Sequence, residues 1–287
     1  MRRSVALLAL FLLAMLGVVP PASAGTVTAS VVGDTLTVTG ATGDDAITVR
    51  CEGGELTVNQ AQPTGGPEAC GGLRRLIVSA RGGDDHVSLG EVAPSVFDSL
   101  GTISVAGEDG DDTLVGSKIA DVLSGGAGVD SLRGGAGSDE LSPGSAGGEA
   151  FGGPGRDIAS VSGDGIWSVI DGLISHLQPF EETALHSIEE VEVEGGEGRD
   201  TITATFSGSV ILFGRGGDDL LSGGPSNDDL DGGGGNDWLD SGEGNDLLEG
   251  RVGNDILRGG NGNDVLRGGP GADDCLGGPG ADSQVSC

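Results

Sequence analysis

The chain has no tyrosine, and aromatic residues make up only 3% of its 287 positions. A conventional large globular core needs more large side chains than that, whereas a thin core repeated along an axis needs fewer. Basic residues are also scarce: 14 Lys and Arg face 45 Asp and Glu, for a net charge of −31 and an isoelectric point near 4.1. Nucleic-acid binding requires clustered Lys and Arg, so that class is argued against. Histidine is limited to His86, His176 and His186, each isolated. No H-E-x-x-H zinc motif, G-x-S-x-G elbow or phosphate-binding P-loop occurs, and no C-x-x-C supports a metal thiolate site. Asn227, Asp229, Asp231 and Gly232 imitate the start of an EF-hand loop, but Trp238 stands where the bidentate Glu belongs. Asp and Glu are so plentiful that no carboxylate pair stands out as catalytic. One apolar run is present, Ala6 to Val19, and no other stretch could cross a bilayer.

Glycine is abundant instead, at 59 residues, which points to a repeat or a low-complexity chain. From Gly214 onward the sequence divides into nines: GRGGDDLLS, GGPSNDDLD, GGGGNDWLD, SGEGNDLLE, GRVGNDILR, GGNGNDVLR, GGPGADDCL and GGPGADSQV. The sixth place is always Asp: Asp219, Asp228, Asp237, Asp246, Asp255, Asp264, Asp273 and Asp282. The eighth is Leu at Leu221, Leu230, Leu239, Leu248, Leu257 and Leu266, then Cys275 and Gln284. Glycines at places one, two and four permit tight turns and let carbonyl oxygens converge. The Asp adds a carboxylate, and such oxygens suit a hard cation with six to eight ligands. Places seven to nine make a short strand with place eight inward. One nonapeptide buries too little to be stable alone, so the turns must stack.

This block resembles the RTX calcium-binding repeats, whose consensus is G-G-x-G-x-D-x-U-x. The resemblance implies an all-β fold: a right-handed parallel β-roll, or β-solenoid, of stacked nonapeptide turns. Two nonapeptides make one coil, and a calcium ion sits between successive turns on the same edge. Asp219, Asp237, Asp255 and Asp273 then share one edge, and Asp228, Asp246, Asp264 and Asp282 the other, framing about six ions. The alternative is a disordered Gly-Asp tail, which has no reason to keep its register. Without the ion, disorder is expected, because the block carries fifteen acidic side chains against Arg215, Arg251, Arg258 and Arg267.

A second array runs over GEDGDDTLV, GSKIADVLS, GGAGVDSLR, GGAGSDELS, PGSAGGEAF and GGPGRDIAS from Gly107. Asp112, Asp121, Asp130, Asp139 and Asp157 hold the sixth place, and Gly148 interrupts it. The expected pairs are Asp112 with Asp130, Asp121 with Asp139, and Asp139 with Asp157; Ile119 replaces the fourth glycine beside Asp121. Residues 161–194, with Trp167, His176, His186 and the run IEEVEVE, read as an insertion or irregular coil. GGEGRDTIT restarts the pattern with Asp200; ATFSGSVIL then keeps strand character without ligands, and Phe213 is a one-residue insertion. Residues 25–106 read as a degenerate β-rich region. Within it Gly43-Asp44-Asp45-Ala46-Ile47 and Gly83-Asp84-Asp85-His86-Val87 match the repeat core, either as ion sites or as plain solenoid corners. The resemblance covers Gly107 to Ala159 and Gly195 to Val285 well, and the first hundred residues weakly.

Residues 1–24 read as a secretory signal peptide: Arg2 and Arg3, the apolar run, then Ala22-Ser23-Ala24 as the cleavage site, leaving Gly25 first. The competing reading is a membrane anchor, for which the run is short. The Arg pair lacks the rest of a twin-arginine motif. Four cysteines in a secreted chain suggest disulfides, and proximity favours Cys51 with Cys70 and Cys275 with Cys287, the latter capping the last coil. The expected protein is therefore a secreted, extracellular calcium-binding module. Calcium is its cofactor and a cell-surface or extracellular molecule its partner, with no nucleic acid, no membrane span and no catalysis. The runner-up is an extracellular enzyme acting on polysaccharide. Ice binding would need a regular Thr face, and places seven and nine are mixed. Two further neighbours follow from the stacking: Asp240 beside Arg258 and Glu249 beside Arg267, with Leu220, Trp238 and Ile256 in a row.

Overall fold

The computed structural model describes residues 26–65, 70–93, 95, 97, 100–144, 146, 148–162, 166–170, 173–177 and 180–287. The expected signal peptide and Gly25 lie outside them. Among the described residues the strands form two sheets, of 13 and 14 strands. From Thr102–Asp109 on, successive nonapeptides of the repeats alternate between the sheets, so each strand pairs in parallel with the one two repeats later. Leu221 lies on Leu239 and Leu239 on Leu257 in one sheet; Leu230 lies on Leu248 and Leu248 on Leu266 in the other. This is the parallel solenoid that the period of nine implies. The only helical element among the described residues is a 3-10 turn at Cys70–Gly72, and no helix there is long and apolar enough to cross a membrane.

The nine-residue repeat works because its turn can close so tightly. At place four, Gly235 has φ +142, and a Cβ there would stand 1.6 Å from the carbonyl oxygen of Gly217 in the turn beneath. Only a residue without a side chain lets the two turns stack at that distance. The strands that follow alternate inward and outward, and the inward leucines are fully buried from Leu221 to Leu266. Each contributes about 1.5–3 kcal/mol of burial. In the middle of the chain the core narrows, with Ala150 and Ala159 at place eight. Toward the N-terminus it widens around Leu36, Ile47, Leu56, Leu76, Leu89 and Phe97. The low aromatic content is thus compatible with a continuous core, because the core is one side chain thick through the repeats.

The interruption after Val161 is built from strands. Ile166–Ile170, Leu173–Leu177 and Phe180–His186 form an antiparallel meander. It is spliced between Gly148–Phe151 and Thr201–Ala204 in one sheet. In the other sheet the parallel stack continues from Ile158–Ser162 through Glu190–Glu194 to Ser209–Phe213. Near the N-terminus, Thr28–Val32 and Glu55–Val58 pair antiparallel with their neighbours and close the sheet ends. Cys51 and Cys70 are disulfide-bonded, and so are Cys275 and Cys287, with Cα atoms 6.1 and 5.7 Å apart.

The outer faces carry the expected neighbours. Leu220, Trp238 and Ile256 are register partners in one row. Arg267 Nη1 lies 2.5 Å from Glu249 Oε1, and Arg251 joins Glu249 to Asp231 at 2.6 and 2.7 Å. Asp240 and Arg258 are register partners, while the Arg258 guanidinium sits 4.5 Å over the Trp238 ring. Such exposed pairs are each worth about 0.2–1 kcal/mol, so they tune the faces and do not hold the fold. The core should decide stability. Leu248→Ala is expected to cost about 2–5 kcal/mol in urea unfolding at saturating calcium. Val252→Ala, at a side chain 62% exposed, should stay within about 0.5 kcal/mol. Equal effects of the two substitutions would contradict a core made by place eight.

Candidate metal centre

Stacking places one carboxylate above another on each edge of the solenoid. The backbone N–H of each place-six Asp donates to Oδ1 of the place-six Asp in the next coil. Asp219 donates to Asp237, Asp237 to Asp255, and Asp255 to Asp273, at 2.9 to 3.0 Å. On the other edge Asp228 donates to Asp246, Asp246 to Asp264, and Asp264 to Asp282, at 2.9 to 3.1 Å. In the first array the same bond joins Asp112 to Asp130, Asp121 to Asp139, and Asp139 to Asp157. Every pair expected from the spacing is therefore brought together. Asp200 adds a rung by donating to Asp219 at 2.7 Å. The two arrays do not join: Gly148 and the meander end one row, and Val210 stands in front of Asp228.

The second carboxylate oxygen is what makes the edge unusual. Oδ2 of Asp112, Asp130, Asp139, Asp157, Asp219, Asp237, Asp246, Asp255, Asp264 and Asp273 is buried with no hydrogen-bond partner, as is Oδ1 of Asp121. Only at the first rungs is Oδ2 satisfied locally, by Ser117 N–H at Asp121, Gly196 N–H at Asp200 and Gly224 N–H at Asp228. The glycine at place one shows where these oxygens point. A Cβ on Gly214 would stand 2.5 Å from Asp219 Oδ2 and 2.5 Å from the Gly232 carbonyl oxygen. At Gly250 the same point is 2.5 Å from Asp255 Oδ2 and 2.7 Å from the Gly268 carbonyl, and at Gly259 2.4 and 2.7 Å from Asp264 Oδ2 and the Gly277 carbonyl. Two acceptors converge on one place with no donor between them. A buried carboxylate oxygen without a partner is costly, and a cation resolves it.

The donor set fits calcium. It consists of carboxylate and carbonyl oxygens, which a hard cation prefers, and each rung brings fresh ones. Among the described residues no three His, Cys, Asp or Glu side chains gather at one point. The close-packed turns bring main-chain carbonyls to the same points as the Asp carboxylates, so carbonyl oxygens are available to a ligand set.

Two contributors fall outside the expected set. Asp157 N–H donates to Glu189 Oε2 at 2.9 Å, so Glu189 stands in the row where no nonapeptide predicts it. The spacing is 32 residues there, which hides it from a search by nines. A second ladder runs beside the first at place five: Asn254 N–H and Nδ2 donate to Asn236 Oδ1, Asn263 likewise to Asn245, and Asn236 to Asp218. Its signal was legible, since Asn precedes Asp in five successive repeats.

Burial pushes the row's carboxyls upward, partly offset by the backbone N–H bonds they accept, with neighbouring carboxylates adding to the rise. Asp112, Asp121 and Asp219 are raised to about 7, and Asp139, Asp237 and Asp246 to about 6, from the ordinary 3.8. A folded value above the unfolded one means that stability is fully present below pH 3.8 and is lost as pH rises through 6 to 7. Calcium-free protein should therefore keep more β-signal in circular dichroism at pH 4 than at pH 7.5, while in saturating calcium the signal should hold or rise over the same interval, because ionised carboxylates are the ligands. Less calcium-free β-signal at pH 4 than at pH 7.5 would contradict the burial of the row.

No curated protein matches the chain. The sequence profile described as RTX calcium-binding nonapeptide repeat (4 copies) matches residues 106–141, 208–248 and 249–283, which contain most of both rows of Asp. With that match laid over the stacked turns and the paired carboxylates, these three segments carry RTX calcium-binding nonapeptide repeats, folded as coils of a β-solenoid.

Proposed function

We propose that the protein is a secreted calcium-binding module whose repeats fold on calcium and then serve as an extracellular structural or binding element. The observation that carries this reading is the row of buried carboxylate oxygens with no donor, of which those of Asp112, Asp157, Asp219, Asp255, Asp264 and Asp273 each converge with a main-chain carbonyl. Asp112, Asp121, Asp130, Asp139, Asp157 and Asp200 would hold calcium in the first part. Asp219, Asp228, Asp237, Asp246, Asp255, Asp264, Asp273 and Asp282 would hold it in the second. Calcium supplies positive charge that the chain lacks on these edges. The residues themselves do the rest: the carboxylates set the position, the glycines bring carbonyls close, and the leucines exclude water from behind. A site absent from the unfolded chain makes binding energy into folding energy. The two disulfides and the signal-like leader in the sequence support an extracellular setting. This reading assigns no catalytic role to the chain.

Calcium titration of the mature protein, followed by circular dichroism, tests the reading. The β-signal is expected to develop with calcium and to collapse in chelator, and magnesium should substitute poorly because it resists dehydration and irregular geometry. Equal β-signal in chelator and in millimolar calcium would sink it. The position of an Asp in its row should also matter. Asp246 both accepts from Asp228 and donates to Asp264, whereas Asp282 ends its row, accepting from Asp264. Asp246→Ala should therefore raise the calcium midpoint well beyond Asp282→Ala, with a cost on the order of 1.5–3 kcal/mol for the lost charged acceptor. Equal damage from both variants would show that the rungs do not share ligands.

A further inference from the structure

The matched segments begin at residue 106, yet the row of Asp does not. Ala46–Glu52 pairs in parallel with His86–Ser88, although some forty residues separate them. The intervening chain leaves the stack as a hairpin and returns past Cys70, which is tied to Cys51. The turn before Ala46 therefore lies directly on the turn before His86. Asp45 N–H donates to Asp85 Oδ1 at 2.6 Å, and Asp85 N–H to Asp112 Oδ1 at 2.8 Å, the same bond that joins the rungs of the arrays.

The convergence of acceptors is also reproduced. A Cβ on Gly40 would stand 2.8 Å from Asp45 Oδ2 and 2.2 Å from the Ala80 carbonyl oxygen, the pairing of carboxylate and carbonyl found at Gly214 and Gly250. Asp45 Oδ2 accepts from Ala41 N–H, as the first rung of each later row accepts from its own turn. Asp85 is only 2% exposed, its carboxyl faces the Asp45 turn through Oδ1, and its Oδ2 has no partner. The place-five ladder differs here. Where the C-terminal array has Asn, this edge has Asp44, Asp84 and Asp111, with Asp84 N–H on Asp44 Oδ1 and Asp111 N–H on Asp84 Oδ1. Two parallel rows of carboxylate thus face one another without the amide donors that relieve the later array.

We propose that the turns of Asp45 and Asp85 hold a divalent cation of their own, outside the matched segments, so that calcium also orders the N-terminal half. The inference rests on the calcium reading of the arrays. Asp45, Asp85 and the carbonyl of Ala80 would supply ligands, with Asp44 and Asp84 adding charge from the outer row.

Calcium bound per mature chain is measured by equilibrium dialysis against calcium chloride, for the wild type, Asp45→Asn and Asp34→Asn. Hydrogen exchange of the same proteins is read by peptide in chelator and in calcium. Asn keeps an acceptor for the Ala41 N–H, so the turn can still form. Asp45→Asn is expected to bind one calcium fewer, and peptides covering 40–48 and 80–88 to lose calcium-dependent protection while those within 214–285 keep it. Asp34→Asn, in the same half but outside these turns, should match the wild type in both. Equal stoichiometry for Asp45→Asn and wild type, or protection across 40–88 that is the same in chelator and in calcium, overturns the proposal. A wild type without calcium-dependent protection in 214–285 overturns the array reading itself, a separate outcome.

Discussion

Everything in this solenoid depends on how one aspartate spends its two oxygens. One oxygen accepts the N–H of the turn before it and so fixes the distance between coils. The other is turned into the stack, where a carbonyl already points. An arrangement of this kind is held only against opposing cost, since buried carboxylates without partners repel one another and resist ionisation. The raised pKa values along the row express that cost directly. A chain of net charge −31 that stacks its carboxylates at regular intervals concentrates negative charge along its edges, where repeats of a calcium-binding type match.

The remaining features follow from this constraint. Carbonyls and carboxylates meet most closely where nothing stands at place one, so glycine there serves the site and the stacking together, in every Asp-bearing repeat of the two arrays except the one that opens with Ser241. The turn is so short that its strand has room for a single inward residue, and leucine fills the space between the sheets. The core is therefore thin and local, and each coil answers mainly to its neighbours. Departures from the consensus cost little where they do not touch the row. Arg215 and Arg251 occupy place two with φ of 72 and 73, a conformation that favours glycine. Each then ion-pairs across the outer face, with Glu194 for Arg215 and with Asp231 and Glu249 for Arg251.

The break in the middle divides the edge chemistry without dividing the core. Val191, Val193, Val210 and Leu212 carry burial through residues 190–213, while Gly148 and Val210 take places in the rows that cannot bind. Glu189 partly bridges the gap, reaching Asp157 from a longer coil. Hydrophobic continuity and ligand continuity are separate properties of such a fold, because they lie on the inside and on the edges.

The nonapeptide period alone determined the parallel coils, the inward leucines and the pairing of Asp112 with Asp130 or Asp246 with Asp264. These follow from a fixed repeat length, which leaves one register for stacking. The disulfide pairs were legible for a similar reason, since nearness in sequence became nearness in space. Tertiary structure alone decided what the period does not reach. It showed that Asp45 stacks on Asp85 across forty residues, that Glu189 enters the row from an irregular coil, and that Arg258 lies over Trp238 while remaining the register partner of Asp240. In each case the deciding contact joins segments whose separation is not a multiple of the coil, or depends on a side-chain rotamer. Sequence spacing carries neither kind of information.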